Sequence, residues 1–251
     1  GTEALAMGTV IGSNISNIAL IFGVSCIGVS MRPAKTNLVQ FIPFAIAAII
    51  LGLVLLDLKI TVIEGWVLLI IFALFIFITY KYRGSELDDQ IEESATGTIT
   101  ILLYLTVGLL ALIGGSNFAV IHAEKIASIL NVPQLIIGLT IIALGTSLPE
   151  LAATISAIMK NKNDMVIGNV IGSNVMNIAL VLPIIGFFSN TSFDSTLLSR
   201  DYFVMLIATI LFVLLAATYS SNKINLKFIR FVGCIFVAGY IGYILNLSNL
   251  I

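Results

Sequence analysis

Charge is scarce in this sequence. Asp, Glu, Lys and Arg make up 10% of its 251 residues, where soluble domains carry about 25%. With 59% of the chain hydrophobic and a mean hydropathy of +1.13, a water-soluble fold would have nowhere to put its apolar surface. A bilayer accepts that surface as solvent. The formal net charge is −1, so there is no excess of basic residues to neutralise phosphates, and nucleic acid is excluded as a partner. Thiols and imidazoles are nearly absent. Cys26 and Cys234 stand singly in apolar runs and His122 is the only histidine, too few for a disulfide framework or a zinc site.

What the chain does have is hydrophobic length. Runs of about 20 mostly apolar residues cross a bilayer, and eight are read at 5–29, 38–56, 60–80, 98–121, 134–159, 165–188, 202–217 and 228–245. The fourth continues amphipathically through 123–130 until Pro133 stops it. Short loops rich in Lys and Arg stay on the cytoplasmic side. Alternate connections hold Arg32, Lys35, Lys81, Arg83, Lys160, Lys162, Lys223, Lys227 and Arg230, and the others only Lys59, Lys125 and Arg200. The first set is therefore expected inside, with both chain ends outside. Residues 81–97, including the acidic run from Glu86 to Glu93, read as a cytoplasmic linker between 1–80 with three spans and 98–251 with five. The run lacks the Gly and alternating spacing of a calcium loop. Trp66 and His122 read as interfacial or lipid-facing.

One segment occurs twice. Gly8-Thr9-Val10-Ile11-Gly12-Ser13-Asn14-Ile15-Ser16-Asn17-Ile18-Ala19-Leu20 is matched, at an offset of 160 and without a gap, by Gly168-Asn169-Val170-Ile171-Gly172-Ser173-Asn174-Val175-Met176-Asn177-Ile178-Ala179-Leu180. Apolar helices resemble one another by chance, but not in Gly-Ser-Asn-x-x-Asn, so this is a duplicated module. The copies fall on the first and sixth spans. Five reversals separate them, so they cross the membrane in opposite senses. Inverted repeats of this kind build secondary transporters, whose substrate sits near the midplane between broken helices.

The chemistry centres on Glu150. It stands midway along an apolar span, where a charge costs about 2.5–3.5 kcal/mol on insertion scales and usually faces a cavity or partner. Pro149 removes a backbone donor and frees the Gly145 carbonyl. Neighbouring carbonyls, Ala143 and Thr146 among them, are expected to open toward a cavity, because freed carbonyls in a membrane need a partner. Ser173 and Asn177 share a helical face, as do Ser13 and Asn17 in the other copy. Gly8 with Gly12, and Gly168 with Gly172, are spaced for close helix contact. Asn14 and Asn174 could cap a helix interruption or ligate. Gly115-Ser116-Asn117 reads as helix packing. Hydroxyl, amide and carbonyl oxygens with one carboxylate suit Na+, Ca2+ or Mg2+. A site between mobile helices suits Ca2+ best, because it tolerates six to eight irregular ligands.

At these residues the sequence resembles the calcium/cation antiporter superfamily, which includes the sodium/calcium exchangers. The resemblance rests on Gly145-Thr146-Ser147-Leu148-Pro149-Glu150 followed by Gly168-Asn169-Val170-Ile171-Gly172-Ser173-Asn174-x-x-Asn177, and on the internal copy from Gly8 to Leu20. It implies an all-α membrane protein of about eight transmembrane helices. This is the inverted-repeat exchanger fold of ten spans lacking its first two. No match to Ala143–Glu150 stands before Gly8, so roughly 50–70 further residues with a second Pro-Glu motif are expected upstream. The resemblance also implies roles. Glu150 is a shared calcium and sodium ligand, Thr146 and Ala143 offer carbonyls and Ser147 a hydroxyl. Ser173 and Asn177 line the site from one half, Ser13 and Asn17 from the other. Residues 108–117 belong to a sliding gate bundle. Asn177 is neutral where some exchangers carry Asp.

The expected function is Ca2+ antiport across a plasma membrane, expected to be a prokaryotic cell membrane, driven by Na+ through alternating access and needing no cofactor. A proton carried on Glu150 is the alternative counter-ion. An intramembrane enzyme would need a paired acid or a base beside Ser147, and neither is legible. A purely structural protein would not need inverted polar motifs.

Overall fold

A computed structural model describes residues 2–28, 38–82, 98–160, 162–188, 192–220 and 225–248. Arg32, Lys35, Arg83, Lys223 and the acidic run of the linker lie outside the described residues. Seven helices are long and apolar enough to cross a membrane: α1 (Glu3–Gly28), α3 (Val62–Lys81), α4 (Ile99–Ile129), α5 (Gln134–Met159), α6 (Asn163–Phe188), α7 (Leu197–Thr218) and α8 (Leu226–Leu247). The shorter apolar helix α2 (Leu38–Val54) lies between α1 and α3. All eight hydrophobic runs are thus helices. The fourth does extend to Ile129, and the seventh starts five residues earlier than hydropathy suggests, at Leu197.

Local chemistry sets the ends. Thr61 caps α3 in a reciprocal box: its Oγ1 accepts from the Glu64 N–H at 3.3 Å while Glu64 Oε2 accepts from the Thr61 N–H at 2.7 Å. Asn225 Oδ1 caps α8, accepting from the Lys227 N–H at 3.0 Å. Between α4 and α5, Asn131 takes a left-handed conformation (φ 57°), which short polar side chains tolerate. Pro133 then opens α5. The connections agree with the charge alternation. Gln40 Nε2 donates to the Tyr82 carbonyl at 3.3 Å, joining the start of α2 to the end of α3 on one side. Phe193 N–H donates to the Leu58 carbonyl at 2.7 Å, joining the loop around Lys59 to the loop before α7 on the other.

α1 is the hub. Of its apolar window 83% is buried, against none for α4. It packs on α5 and α6, and its last turns lie along α8, where a side chain at Gly233 would strike the Gly23 carbonyl at 2.7 Å. Phe22 of α1 meets Phe212 of α7 edge-on at 4.8 Å. The substantial contacts of α4 are all with α5.

The direction of crossing can be read from the contacts. A Cβ at Gly8 would meet the Leu135 carbonyl at 2.8 Å, and one at Gly12 the Leu139 carbonyl, so α1 and α5 ascend together. Asn17 pairs with Ser173, and Asn14 with Asn177. These numbers run in opposite directions, so α1 and α6 cross antiparallel and the repeated segments are inverted.

Candidate functional site

Each helix that meets at this crossing is irregular there. α1 widens into π-helix over Ser16–Phe22, and α6 does so over Asn177–Val181, the matching stretch of the second copy. α5 carries a π segment at Gly138–Ile142 and is interrupted at Ser147 (φ −88°, ψ −1°). π segments inside α-helices concentrate at functional sites. The interruption falls at Ser147, with Pro149 in the first turn of the following helix rather than mid-helix. Pro149 cannot donate to the Gly145 carbonyl, and Glu150 follows in the same first turn.

Glycine permits the approach of α1 to α5. A Cβ at Gly12 would lie 2.5 Å from the Leu139 carbonyl oxygen and 2.7 Å from Ala143 Cβ. Gly145 lies against Val120 of α4. The expected close contact at the second pair does not occur among the described residues. Nothing stands within 4 Å of a Cβ at Gly168, and only a Phe75 ring atom approaches Gly172, at 4.0 Å. That face of α6 turns away from α1 and α5, so no described helix backbone is there to receive it. Gly115 is likewise open, although Ser116 beside it is buried.

Hydrogen bonds across the crossing decide which oxygens face the interior. Thr146 Oγ1 gives its one hydrogen to the carbonyls of its own helix, Ile142 at 2.9 Å and Ala143 at 3.2 Å. With that hydrogen on its own helix, Thr146 is left to accept from Ser13 Oγ at 3.1 Å, and Ser13 shares its one hydrogen with the Ala143 carbonyl at 3.4 Å. The Ala143 carbonyl, expected to open into a cavity, is thus engaged by hydroxyls and by the Ser147 N–H at 3.2 Å. Ser173 Oγ donates to the Asn169 carbonyl at 2.8 Å and so accepts from Asn17 Nδ2 at 3.0 Å. Asn177 Nδ2 donates to Asn14 Oδ1 at 3.4 Å. Asn14 Nδ2 reaches the Met205 sulfur at 3.7 Å, and Asn174 Nδ2 bonds back to the Val170 carbonyl at 2.7 Å. Both asparagines are fully buried (0% exposed) and neither caps a helix terminus.

The hydroxyl hydrogens are committed, and acceptors are left over. Among the described residues, Asn17 Oδ1, Glu150 Oε2 and Asn174 Oδ1 are buried and have no hydrogen-bond partner. Leaving such groups unmade is costly, and buried acceptors of this kind are suited to receive a hydrogen bond or a cation. Glu150 also lines a cleft of about 520 Å³ between α4 and α5, with Tyr104, Gly108 and Leu112 on one wall, Pro149 and Ala153 on the other, and Asn169 of α6 at the end. Asn169 Nδ2 ties the Glu150 carbonyl at 3.0 Å to Thr154 Oγ1 at 2.9 Å.

The comparisons with known proteins agree with this geometry. Residues 1–81 and 100–248 match the model of the family described as sodium/calcium exchanger protein. The chain belongs to the sodium/calcium exchanger family. It is 36% identical over 248 residues to a candidate antiporter, CaxA, of Alkalimonas amylolytica, covering 95% of this chain and 76% of that one. It is 40% identical over 114 residues to the sodium/calcium exchanger MaX1 of Methanosarcina acetivorans, covering 45% and 33%. A structure of the sodium-calcium exchanger NCX_Mj soaked with Na+ and Sr2+ superposes with a TM-score of 0.74 at 30% identity, covering 95% of this chain and 75% of that one. This exchanger-family chain is a multi-pass transporter of the cell membrane, not an enzyme.

Within this exchanger scaffold, hydrogen bonds join Ala143, Thr146 and Ser147 of α5, Ser13 and Asn17 of α1, and Ser173 and Asn177 of α6 into one polar cage, while Glu150, three residues after Ser147, lines the cleft between α4 and α5 beside Asn169. Sequence reasoning missed Ser16, whose Oγ lies 3.1 Å from Ser147 Oγ. It also missed Asn169. Ser16 faces Met176 in the repeat alignment, so comparing the copies hid its polar role. Asn169 was visible only as a letter of the motif. His122 lies away from the cage, bonded through Nδ1 to the Phe118 carbonyl at 2.8 Å on exposed α4. Trp66 is exposed and packs on Phe187.

Proposed function

We propose that this chain exchanges Ca2+ for Na+ across the cell membrane by alternating access to the cage between the inverted copies. One observation carries the reading. The crossing holds hydroxyls whose hydrogens are committed and the orphan acceptor Asn17 Oδ1, and the orphan Glu150 Oε2 stands on α5 three residues beyond Ser147. Lone pairs and a carboxylate, with no thiol or imidazole, form a donor set for a hard cation. Glu150, Thr146, Ser147, Ala143, Ser173, Asn177, Ser13 and Asn17 are the proposed ligand set. An entering ion would draw the Ala143 carbonyl and the Thr146 hydroxyl away from Ser13. Neutral oxygens hold Na+ without titrating, which makes Na+ the natural counter-ion. MaX1 and NCX_Mj, both named sodium/calcium exchangers, support the assignment.

Access is proposed to change by sliding of α4, whose substantial contacts among the described residues are with α5 and which forms one wall of the cleft beside Glu150. If more than two Na+ exchange per Ca2+, the membrane potential contributes about 2.3 kcal/mol per net charge per 100 mV. Proton coupling is the second reading. It is favoured by Glu150 being the one carboxylate among the described residues of the cage, since a single carboxylate suffices to carry a proton.

Ca2+ uptake into proteoliposomes separates the two readings. An Na+ gradient alone is expected to drive uptake and a pH gradient alone is not, and the reverse result would establish the proton reading. Glu150→Gln is expected to abolish flux under either gradient with expression unchanged. Full flux in that variant would remove Glu150 from the site.

A further inference from the structure

We propose that Ser16 is a positioning residue of the ion site: it holds the Ser147 hydroxyl with its hydrogen turned away, so that the Ser147 lone pairs remain available to a cation. The proposal rests on Ser147 being an ion ligand, as read above. Over residues 8–20 and 168–180 the copies differ at three positions: Thr9 against Asn169, Ile15 against Val175, and Ser16 against Met176. Only the last replaces a hydroxyl with an apolar group, and the two residues have different surroundings. Met176 is 46% exposed, whereas Ser16 is fully buried (0%) at the first position of the α1 π segment.

Ser16 Oγ lies 3.1 Å from the Ser13 carbonyl and 3.1 Å from Ser147 Oγ. A hydroxyl has one hydrogen. That of Ser16 goes to the Ser13 carbonyl, a pure acceptor, so the contact with Ser147 is donated by Ser147. Ser147 is itself buried, 3% exposed, at the interruption of α5 and three residues before Glu150. With its hydrogen on Ser16, it presents only lone pairs on its remaining side. Without Ser16, the freed hydrogen has an acceptor close in sequence, the orphan Glu150 Oε2. A hydrogen bond there would turn a ligand into a donor and occupy the carboxylate that the ion needs. Ser16 thus acts through Ser147, and the inverted copy has no equivalent of it.

The test is Ca2+ uptake by the reconstituted protein, comparing wild type, Ser16→Ala, Ser147→Ala and the double variant. Ser16→Ala is expected to raise the half-saturating Ca2+ concentration roughly three- to tenfold, the worth of one hydrogen bond. The maximal rate should stay within about twofold and the melting temperature in detergent should change little. Adding Ser16→Ala to Ser147→Ala is expected to change nothing further, because the residue it acts through is gone. A wild-type half-saturation in Ser16→Ala, or a further loss in the double variant equal to that of the single one, would overturn the proposal. A wild-type half-saturation in Ser147→Ala would instead overturn the site reading itself. A fall in maximal rate and melting temperature with half-saturation unchanged would show that Ser16 is only a packing residue.

Discussion

Replacing Gly12 with alanine should separate the two helices that carry the cage. The added Cβ would lie 2.5 Å from the Leu139 carbonyl oxygen, 2.8 Å from its carbon and 2.7 Å from Ala143 Cβ. Two of these are backbone atoms, which cannot rotate aside, so α1 and α5 must part by about 1 Å to restore ordinary contact. One residue away, the Ser13–Thr146 hydrogen bond is 3.1 Å long, and one turn on the Ser16–Ser147 bond is 3.1 Å. An added ångström breaks both. Each is worth about 0.5–1.5 kcal/mol, and overpacking costs about 1–3 kcal/mol, so the variant should lose about 2–6 kcal/mol of stability. Gly242→Ala, where nothing lies within 4 Å of the new Cβ, is the control and should be neutral or slightly stabilising, since Ala favours helix over Gly by about 1 kcal/mol. Thermal unfolding in detergent and Ca2+ uptake read the two effects together. Gly12→Ala with a wild-type melting temperature and wild-type flux would refute the claim that α1 and α5 touch through their backbones.

Other predictions concern the N-terminal end of α7 and the loop before it. Asp201 is fully buried (0% exposed), held by Arg200 through Nε at 2.7 Å and Nη2 at 3.1 Å and by the Tyr243 hydroxyl at 2.9 Å. Asp201→Asn should cost about 1–3 kcal/mol by leaving donors unmatched, seen as a lower melting temperature with half-saturation for Ca2+ unchanged. A changed half-saturation would place the cluster in the transport path. Asp194, in the loop before α7, accepts from the Thr196 N–H at 2.8 Å. That bond, a side-chain bond to Thr196 and the Arg200 charge hold its pKa below the ordinary 3.8. A folded value below the unfolded one gives stabilisation that is complete above the unfolded value and is lost as pH falls through the folded one. Asp194→Asn should therefore flatten the acid limb of the melting curve against pH, and an unchanged limb would contradict the assignment.

Much of this architecture was legible because lipid imposes it. Hydrophobic length located the seven spanning helices and the shorter apolar helix among the described residues, and the alternation of basic loops agrees with the pairings at Gln40–Tyr82 and Leu58–Phe193. The inverted copy was legible because Gly-Ser-Asn-x-x-Asn is too polar to arise from apolar helices by chance. What escaped was whatever depends on a partner distant in sequence. Asp201 stands just before the seventh hydrophobic run, and nothing near it in sequence points to Tyr243, its partner 42 residues on. Gly168 and Gly172 have the same spacing as Gly8 and Gly12, yet spacing carries no information on whether a neighbour is there, and only the first pair meets a helix backbone among the described residues. The π segments have no residue signature. The engagement of the Ala143 carbonyl follows from Ser13 on another helix, where Pro149 alone suggested an open carbonyl.

Anomalous diffraction from crystals of the protein soaked in Sr2+ would locate a calcium-like ion directly. Density enclosed by Glu150, Ser147, Asn17 and Ser173 is the expected result. Density confined to the exposed acids Asp57 and Asp194, with the crossing of α1, α5 and α6 bare at saturating Sr2+, would contradict the account.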